Sequence, residues 1–284
     1  MTTGVYSDDM KRSLYILFSL LCFIGSLNAQ TVDTIEVFSK KMGRDIKNLV
    51  ILPAGYNRQD TIKYPVLYLL HGVQADHISW TKVIRKELPD DATKYNMIIV
   101  CPNGENSWYL DSPVNPASQF ETYITEELVE SIDNKYKTIP SSPARAISGF
   151  SMGGYGALRL AILHPGVFGV CGSMSGAVDF RPFPKVYKLS SQLGGYATNK
   201  KRWDECVIIN MLGKLKPDVL SVIINCGSED GFLKVNEQLH QAMLHKGIEH
   251  QYIVESGGHD RKYWNKAIVK QLQFFSDFFN KSNL

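Results

Sequence analysis

Arg145-Ala146-Ile147-Ser148-Gly149-Phe150-Ser151-Met152-Gly153-Gly154 reads as an apolar strand that turns through a serine into a glycine-rich helix. Its centre, Gly149-Phe150-Ser151-Met152-Gly153, matches G-x-S-x-G, the pattern of a tight strand-to-helix turn that lifts a serine above the carboxyl edge of a sheet. Small residues two before and two after the serine let strand and helix approach, while the serine takes a backbone conformation few residues adopt. The amino end of the following helix then faces any negative charge that develops at the hydroxyl. The helix runs on to His164, where Pro165 stops it.

Outward from this turn, apolar runs bounded by Gly, Pro or Asn alternate with stretches of helical period. That pattern predicts an α/β fold with a mostly parallel central sheet and helices on both faces. Residues 35–38, 47–52 and 64–70 read as three early strands with hairpin-like links, and 97–101 as a fourth. A partly helical connection joins the last two. Phe120, Ile124, Leu128 and Ile132 recur at four-residue spacing among acidic residues and mark an amphipathic helix. Strands follow at 144–149, 167–173, 219–226 and 251–255. Phe232, Val235, Leu239 and Met243 line a helix that Gly247 closes, and Trp264, Ile268, Leu272, Phe275 and Phe279 line a terminal one. Residues 179–217 shift to Lys, Pro, Ser and Gly and break the alternation. They read as an excursion inserted into a single domain over 30–284.

The composition is that of a globular chain: 284 residues, 44% hydrophobic and 21% charged. A formal charge of +3 from 31 basic and 28 acidic side chains is too weak and dispersed for a nucleic-acid partner. Residues 1–29 read as a signal peptide, with translation starting at Met10. Lys11 and Arg12 flank an apolar run over 14–25 that is shorter than the about 20 residues a bilayer span takes, and Ala29 suits a signal peptidase. An exported protein, periplasmic or secreted, without a stable membrane anchor is the expectation. Cys22, between Leu21 and Phe23, is a poor lipidation site. The remaining Cys101, Cys171, Cys206 and Cys226 lack zinc-site spacing and read as buried thiols, with room for one disulfide.

A serine hydroxyl needs a base to become a nucleophile, and a histidine at a later strand end would supply it. His259, in Ser256-Gly257-Gly258-His259-Asp260, directly follows the final strand in a turn flexible enough to return over Ser151. His164, His240, His245 and His250 read as solvated, and His71 and His77 lack a third metal ligand. The imidazole needs a carboxylate to hold its tautomer, and Cys226-Gly227-Ser228-Glu229-Asp230 offers two adjacent ones, of which only one can point inward. Asp230 is preferred over Glu229. The order Ser151, Asp230, His259 is that of α/β-hydrolases. Backbone amides of Met152 and Val73, the latter after Leu69-Leu70-His71-Gly72, fit the two donors that an oxyanion requires.

With these residues in place, the chain resembles the esterase D family of α/β-hydrolases, which includes tributyrin esterases, S-formylglutathione hydrolases, and feruloyl and acetyl-xylan esterases. The resemblance spans nearly all of residues 30–284. It is carried by Tyr68-Leu69-Leu70-His71-Gly72, Ser107-Trp108-Tyr109-Leu110-Asp111, Glu121 to Leu128, the Ser151 segment and Gly257-Gly258-His259-Asp260. It implies the α/β-hydrolase fold, Ser151, Asp230 and His259 as a triad, Val73 and Met152 as an oxyanion hole, and a pocket wall near Trp108 and Tyr109. The stretch after Gly176 departs from every branch. The expected activity is hydrolysis of short acyl or feruloyl esters, of acylated polysaccharide above all, through an acyl-enzyme and without a cofactor. Acyl transfer to a sugar and thioester hydrolysis are the alternatives on the same scaffold, and a non-catalytic relative is the third class. Lys200, Lys201 and Arg202 read as a solvated face, with an overhang above the serine as the alternative.

Overall fold

A computed structural model describes residues 30–59, 61–185, 187–215 and 219–282. The expected signal segment, with Met10 and Cys22, lies outside them. Eight strands form one sheet: β1 (Thr31–Ser39), β2 (Arg44–Leu52), β3 (Val66–Leu70), β4 (Ile98–Pro102), β5 (Arg145–Gly149), β6 (Val170–Met174), β7 (Ser221–Gly227) and β8 (Gln251–Glu255). Their spatial order is β1-β2-β4-β3-β5-β6-β7-β8. The principal helices are α1 (Leu88–Lys94), α2 (Val129–Lys135), α3 (Met152–Leu163), α4 (Lys200–Glu205), α5 (Leu233–His245) and α6 (Arg261–Lys281).

The first two strands form an antiparallel hairpin, turned by Gly43 at φ +67°. The third does not continue it, which corrects the expectation of hairpin links throughout. β2 pairs antiparallel with β4 instead, and β3 sits between β4 and β5, parallel to both. The composition of β3 explains the difference. Val66, Leu67, Tyr68, Leu69 and Leu70 are all fully buried, with Val66, Tyr68 and Leu70 in one face's core and Leu67 and Leu69 in the other's. Such a run is suited to the middle of a two-faced sheet, where burying each large side chain contributes about 1.5–3 kcal/mol. The chain leaves β3 for β4 on one side and returns to β5 on the other. The carboxyl ends of β3 and β5 therefore flank the crevice where open α/β sheets bind ligands.

Phe120, Ile124, Leu128 and Ile132 are all fully buried, although strict four-residue spacing would drift around a regular α-helix. The stretch before α2 contains a wider π-helical turn, Tyr123–Leu128, and that widening keeps the stripe facing the sheet. The excursion after β6 is also less solvated than its composition suggests. Phe180 and Trp203 pack edge-to-face at 5.4 Å, and Phe180 meets Trp108 and Tyr155 at 5.6 and 5.4 Å. A polar bridge crosses the other face: the Ser148 hydroxyl on β5 donates to Gln271 Oε1 on α6, whose Nε2 donates to Asn225 Oδ1 on β7 at 2.8 Å. Gly172 makes room for it, since a Cβ there would lie 2.1 Å from Gln271 Oε1.

His164, expected in solvent at the end of α3, instead joins Glu121 at 2.8 Å, and the buried Arg159 guanidinium binds the same carboxylate. Burial alone would raise the Glu121 pKa, but the hydrogen bond from His164 and the charge of Arg159 overcome it and bring it down to about 2. A carboxylate depressed in the folded state stabilises at pH above its unfolded value and loses that contribution as pH falls through the folded one. Glu121→Gln should thus destabilise the protein by about 3 kcal/mol near neutral pH, because it strands a buried guanidinium. In denaturant titrations the gap from the parent protein should narrow as pH falls below about 4.5. A gap independent of pH would contradict this ion-pair account.

Candidate active site

Ser151 joins β5 to α3 with φ 56° and ψ −119°, a conformation that costs a non-glycine residue on the order of 1–3 kcal/mol. Its neighbours explain why the chain holds it there. A Cβ on Gly149 would lie 2.6 Å from the Gly153 carbonyl carbon and 2.7 Å from Leu70 O. One on Gly153 would lie 2.6 Å from Leu70 O and 2.7 Å from His71 O. Both glycines are therefore required for helix α3 to start against the end of β3. The Ser151 amide donates to Met174 O at 2.9 Å, and its carbonyl accepts from Tyr155 N at 3.0 Å and Ala177 N at 3.3 Å.

The loops after β7 and β8 meet because two more glycines let them. A Cβ on Gly227 would lie 2.1 Å from Gly257 O, and Gly257 itself has φ +148°. Glu229 N donates to Gly257 O at 3.0 Å, which turns the Glu229 side chain to solvent and Asp230 inward. The Asp230 carboxylate is fully buried and lies 2.9 Å (Oδ2) and 3.1 Å (Oδ1) from His259 Nδ1. Burial would raise its pKa, but the hydrogen bond and charge of His259, with the Phe232 amide at 2.8 Å, hold it below the usual carboxylate value. Because an ionised carboxylate only accepts, Nδ1 carries the proton and donates. Nε2 is then the acceptor for the Ser151 hydroxyl, 2.9 Å away. Phe232 and Trp264 hold the imidazole from two sides, at 5.1 and 5.0 Å.

Facing this chain of bonds is the loop after β3. A Cβ on Gly72 would lie 2.5 Å from Phe150 Cε2 and 3.3 Å from Ser151 Cβ, so the loop passes directly over the serine. The Val73 amide donates no hydrogen bond among the described residues, and Met152, first in α3, has no acceptor within its helix. His71 pins the loop from beneath. Its Nδ1 donates to Gly72 O and its Nε2 accepts from Gly104 N, both at 2.8 Å. Burial pushes its pKa down, and with both nitrogens engaged it has no lone pair left for a metal.

Trp108 and Tyr109 do not form a pocket wall. Both are buried, which corrects the role that family resemblance implied for them. Tyr109 lies between Gly104 and Gly156, where a Cβ would come within 2.3 and 2.4 Å of its ring, and its hydroxyl donates to His71 O at 3.0 Å. It supports the β3 loop rather than a ligand. Trp108 donates its indole N–H to Tyr187 O at 3.2 Å. The cleft over Ser151 and His259, about 340 Å³, is lined instead by Val83, Ile84, Phe150, Tyr187, Arg261 and Trp264, together with Val73 and Gln74 of the β3 loop. Phe150 lay within the motif, and Arg261 and Trp264 follow His259 closely enough to be found by it. Tyr187 left no comparable signal. Lys200, Lys201 and Arg202 do not line this cleft: Lys201 sits 3.9 Å from Glu205, and Arg202 donates to Leu193 O at 2.8 Å.

His240 and His250, also expected in solvent, hydrogen-bond to each other at 2.7 Å, and His240 stacks on Tyr252; His245 is exposed. Cys101, Cys171, Cys206 and Cys226 are free thiols, and burial pushes the pKa of each upward.

The Esterase family model matches residues 39–275. An acetyl esterase of Caldicellulosiruptor saccharolyticus is 26% identical over 260 residues, 85% of this chain and 97% of that one. An endo-1,4-beta-xylanase/feruloyl esterase of Xylanibacter ruminicola is 29% identical over 87% of this chain, which corresponds to 31% of its own length. Among solved structures, a ferulic acid esterase superposes with a TM-score of 0.77 at 29% identity, covering 88% of this chain and 98% of its own.

The steric reading of the serine turn has a direct check. Gly153→Ala should lower stability by roughly 1–3 kcal/mol through overpacking against the Leu70 and His71 carbonyls. A melting temperature within about 1 °C of the parent would show that the turn is not constrained in this way.

Proposed function

The chain belongs to the Esterase family and has the α/β-hydrolase fold, and from that premise we propose that it is a serine hydrolase of carboxylic esters, with Ser151, His259 and Asp230 as its catalytic triad. The observation that carries the proposal is the continuous run of hydrogen bonds from Ser151 Oγ through His259 to Asp230, each about 2.9 Å, beginning at a serine in a strained turn. As Ser151 Oγ attacks the acyl carbon, Nε2 takes its proton, and Asp230 stabilises the resulting imidazolium. Charge moves to the former carbonyl oxygen, where the Met152 and Val73 amides would each stabilise the transition state by about 3 kcal/mol. The imidazolium then protonates the departing alkoxide. Water, deprotonated by the same nitrogen, attacks the acyl-enzyme and restores the serine.

The names of the relatives support acetyl and feruloyl esters as the acyl class. The apolar and aromatic cleft walls suit either a short aliphatic or an aromatic acyl group. Acylated carbohydrate is the proposed natural substrate, reached outside the cytoplasm if residues 1–29 direct export. Nucleophile, base and oxyanion donors all come from the chain in this scheme, so chelators should leave the rate unchanged.

Ser151→Ala should lower kcat/KM on 4-nitrophenyl acetate by several orders of magnitude while leaving the melting temperature near that of the parent protein. Asp230→Asn should be nearly as damaging, and Glu229→Gln mild. Near-normal turnover in Ser151→Ala, or a reversal of the two acid variants, would contradict the assignment. Product analysis with an added sugar acceptor distinguishes transfer from hydrolysis: accumulation of acylated sugar at the expense of free acid would make the protein an acyltransferase.

A further inference from the structure

The cleft carries one cationic side chain that the reaction scheme does not use. Arg261 is the first residue of α6, two positions after His259, and lines the same cleft as Ser151. Six of the other described arginines face a carboxylate within 4.0 Å, and Arg202 donates to a backbone carbonyl. Arg261 has neither an ion pair nor a hydrogen bond among the described residues. Its neighbour Asp260 makes no ion pair with it, and that carboxylate's Oδ1 caps α6 by accepting from Lys262 N at 2.9 Å and Tyr263 N at 3.0 Å. No Asp or Glu is among the cleft-lining residues. The Asp230 carboxylate is buried and occupied by His259.

We propose that Arg261 is a specificity-determining residue that selects esters carrying a carboxylate close to the scissile acyl group. The inference rests on the hydrolase reading of the same site. A guanidinium presents a rigid planar fork that matches a carboxylate bidentately, so this side chain is suited to recognising a negative planar group. Arg261 is exposed, and the apolar surface beside it, from Val83, Ile84 and Trp264, offers the uncharged part of such a substrate a face to pack on. Substrate supplies the partner that the chain withholds. The carboxylate can sit on the acyl part, as in a dicarboxylic half-ester, or on the alcohol part, as in a uronic-acid sugar.

Two matched pairs separate these sources: mono-4-nitrophenyl adipate against 4-nitrophenyl hexanoate, and acetylated methyl galacturonoside against acetylated methyl galactoside. The parent enzyme at low salt should favour the carboxylate member of one pair by about tenfold in kcat/KM, and that pair identifies the side. The preference should shrink as salt is added. Arg261→Gln should bring the ratio to within about twofold of unity, and Arg261→Lys should keep part of it, since the charge remains and the fork is lost. No preference in either pair, or a preference that survives in Arg261→Gln, overturns the proposal. Turnover of 4-nitrophenyl acetate by the parent, and its loss in Ser151→Ala, reads the hydrolase assignment separately. Activity on acetate without a carboxylate preference removes only the role of Arg261, whereas inertness toward every ester removes both.

Discussion

The close approach of helix α3 to the end of strand β3 is the constraint on which the rest of the site depends. Gly153 packs its backbone against Leu70 O and His71 O at a distance no side chain permits, and Gly149 does the same from the strand side. With strand and helix this close, the connecting Ser151 has little choice but φ 56° and ψ −119°. The strain is small beside the burial of β3 and β5, whose residues are shielded on both faces of the sheet. Loosening that contact would release the serine from the orientation that points it at His259.

The remaining groups reach the serine through supports that are themselves anchored in the core. Tyr109, wedged between Gly104 and Gly156, holds the His71 carbonyl, and His71 holds the loop that bears Val73. Gln271 joins β5 to β7, the strands that precede Ser151 and Asp230, while belonging to the helix that follows His259. Side-chain networks of this kind fix relative position more tightly than pairwise contacts suggest. They also explain why Tyr109 is spent on structure rather than on the ligand.

Much of this was legible in the sequence because the relevant signals are local. Each strand from β4 onward is a short apolar run with clear punctuation, and its boundaries fall within a few residues of those expected. Ser151, Asp230 and His259 stand just past strand ends, in short turns that contain glycine and so mark them in the sequence. What the sequence concealed is long-range. Nothing in residues 47–70 states that β2 must pair with β4, because that choice depends on the two-faced burial of β3. The sequence leaves Trp108 and Tyr109 available for a ligand, whereas Phe180 of the distant excursion packs on Trp108, and Gly104 and Gly156 enclose Tyr109. The pairing of His164 with Glu121 links segments far apart in the chain and has no local signature.

The most direct measurement of the central claim is the site of covalent modification by a fluorophosphonate, located by peptide mass spectrometry. The reagent needs a serine that is both positioned and activated by a base, so it reads the geometry and the chemistry at once. A single stoichiometric adduct on Ser151, formed far more slowly when His259 is replaced by alanine, is the result this account predicts. An adduct on another residue, no adduct at all, or labelling indifferent to His259 would contradict it.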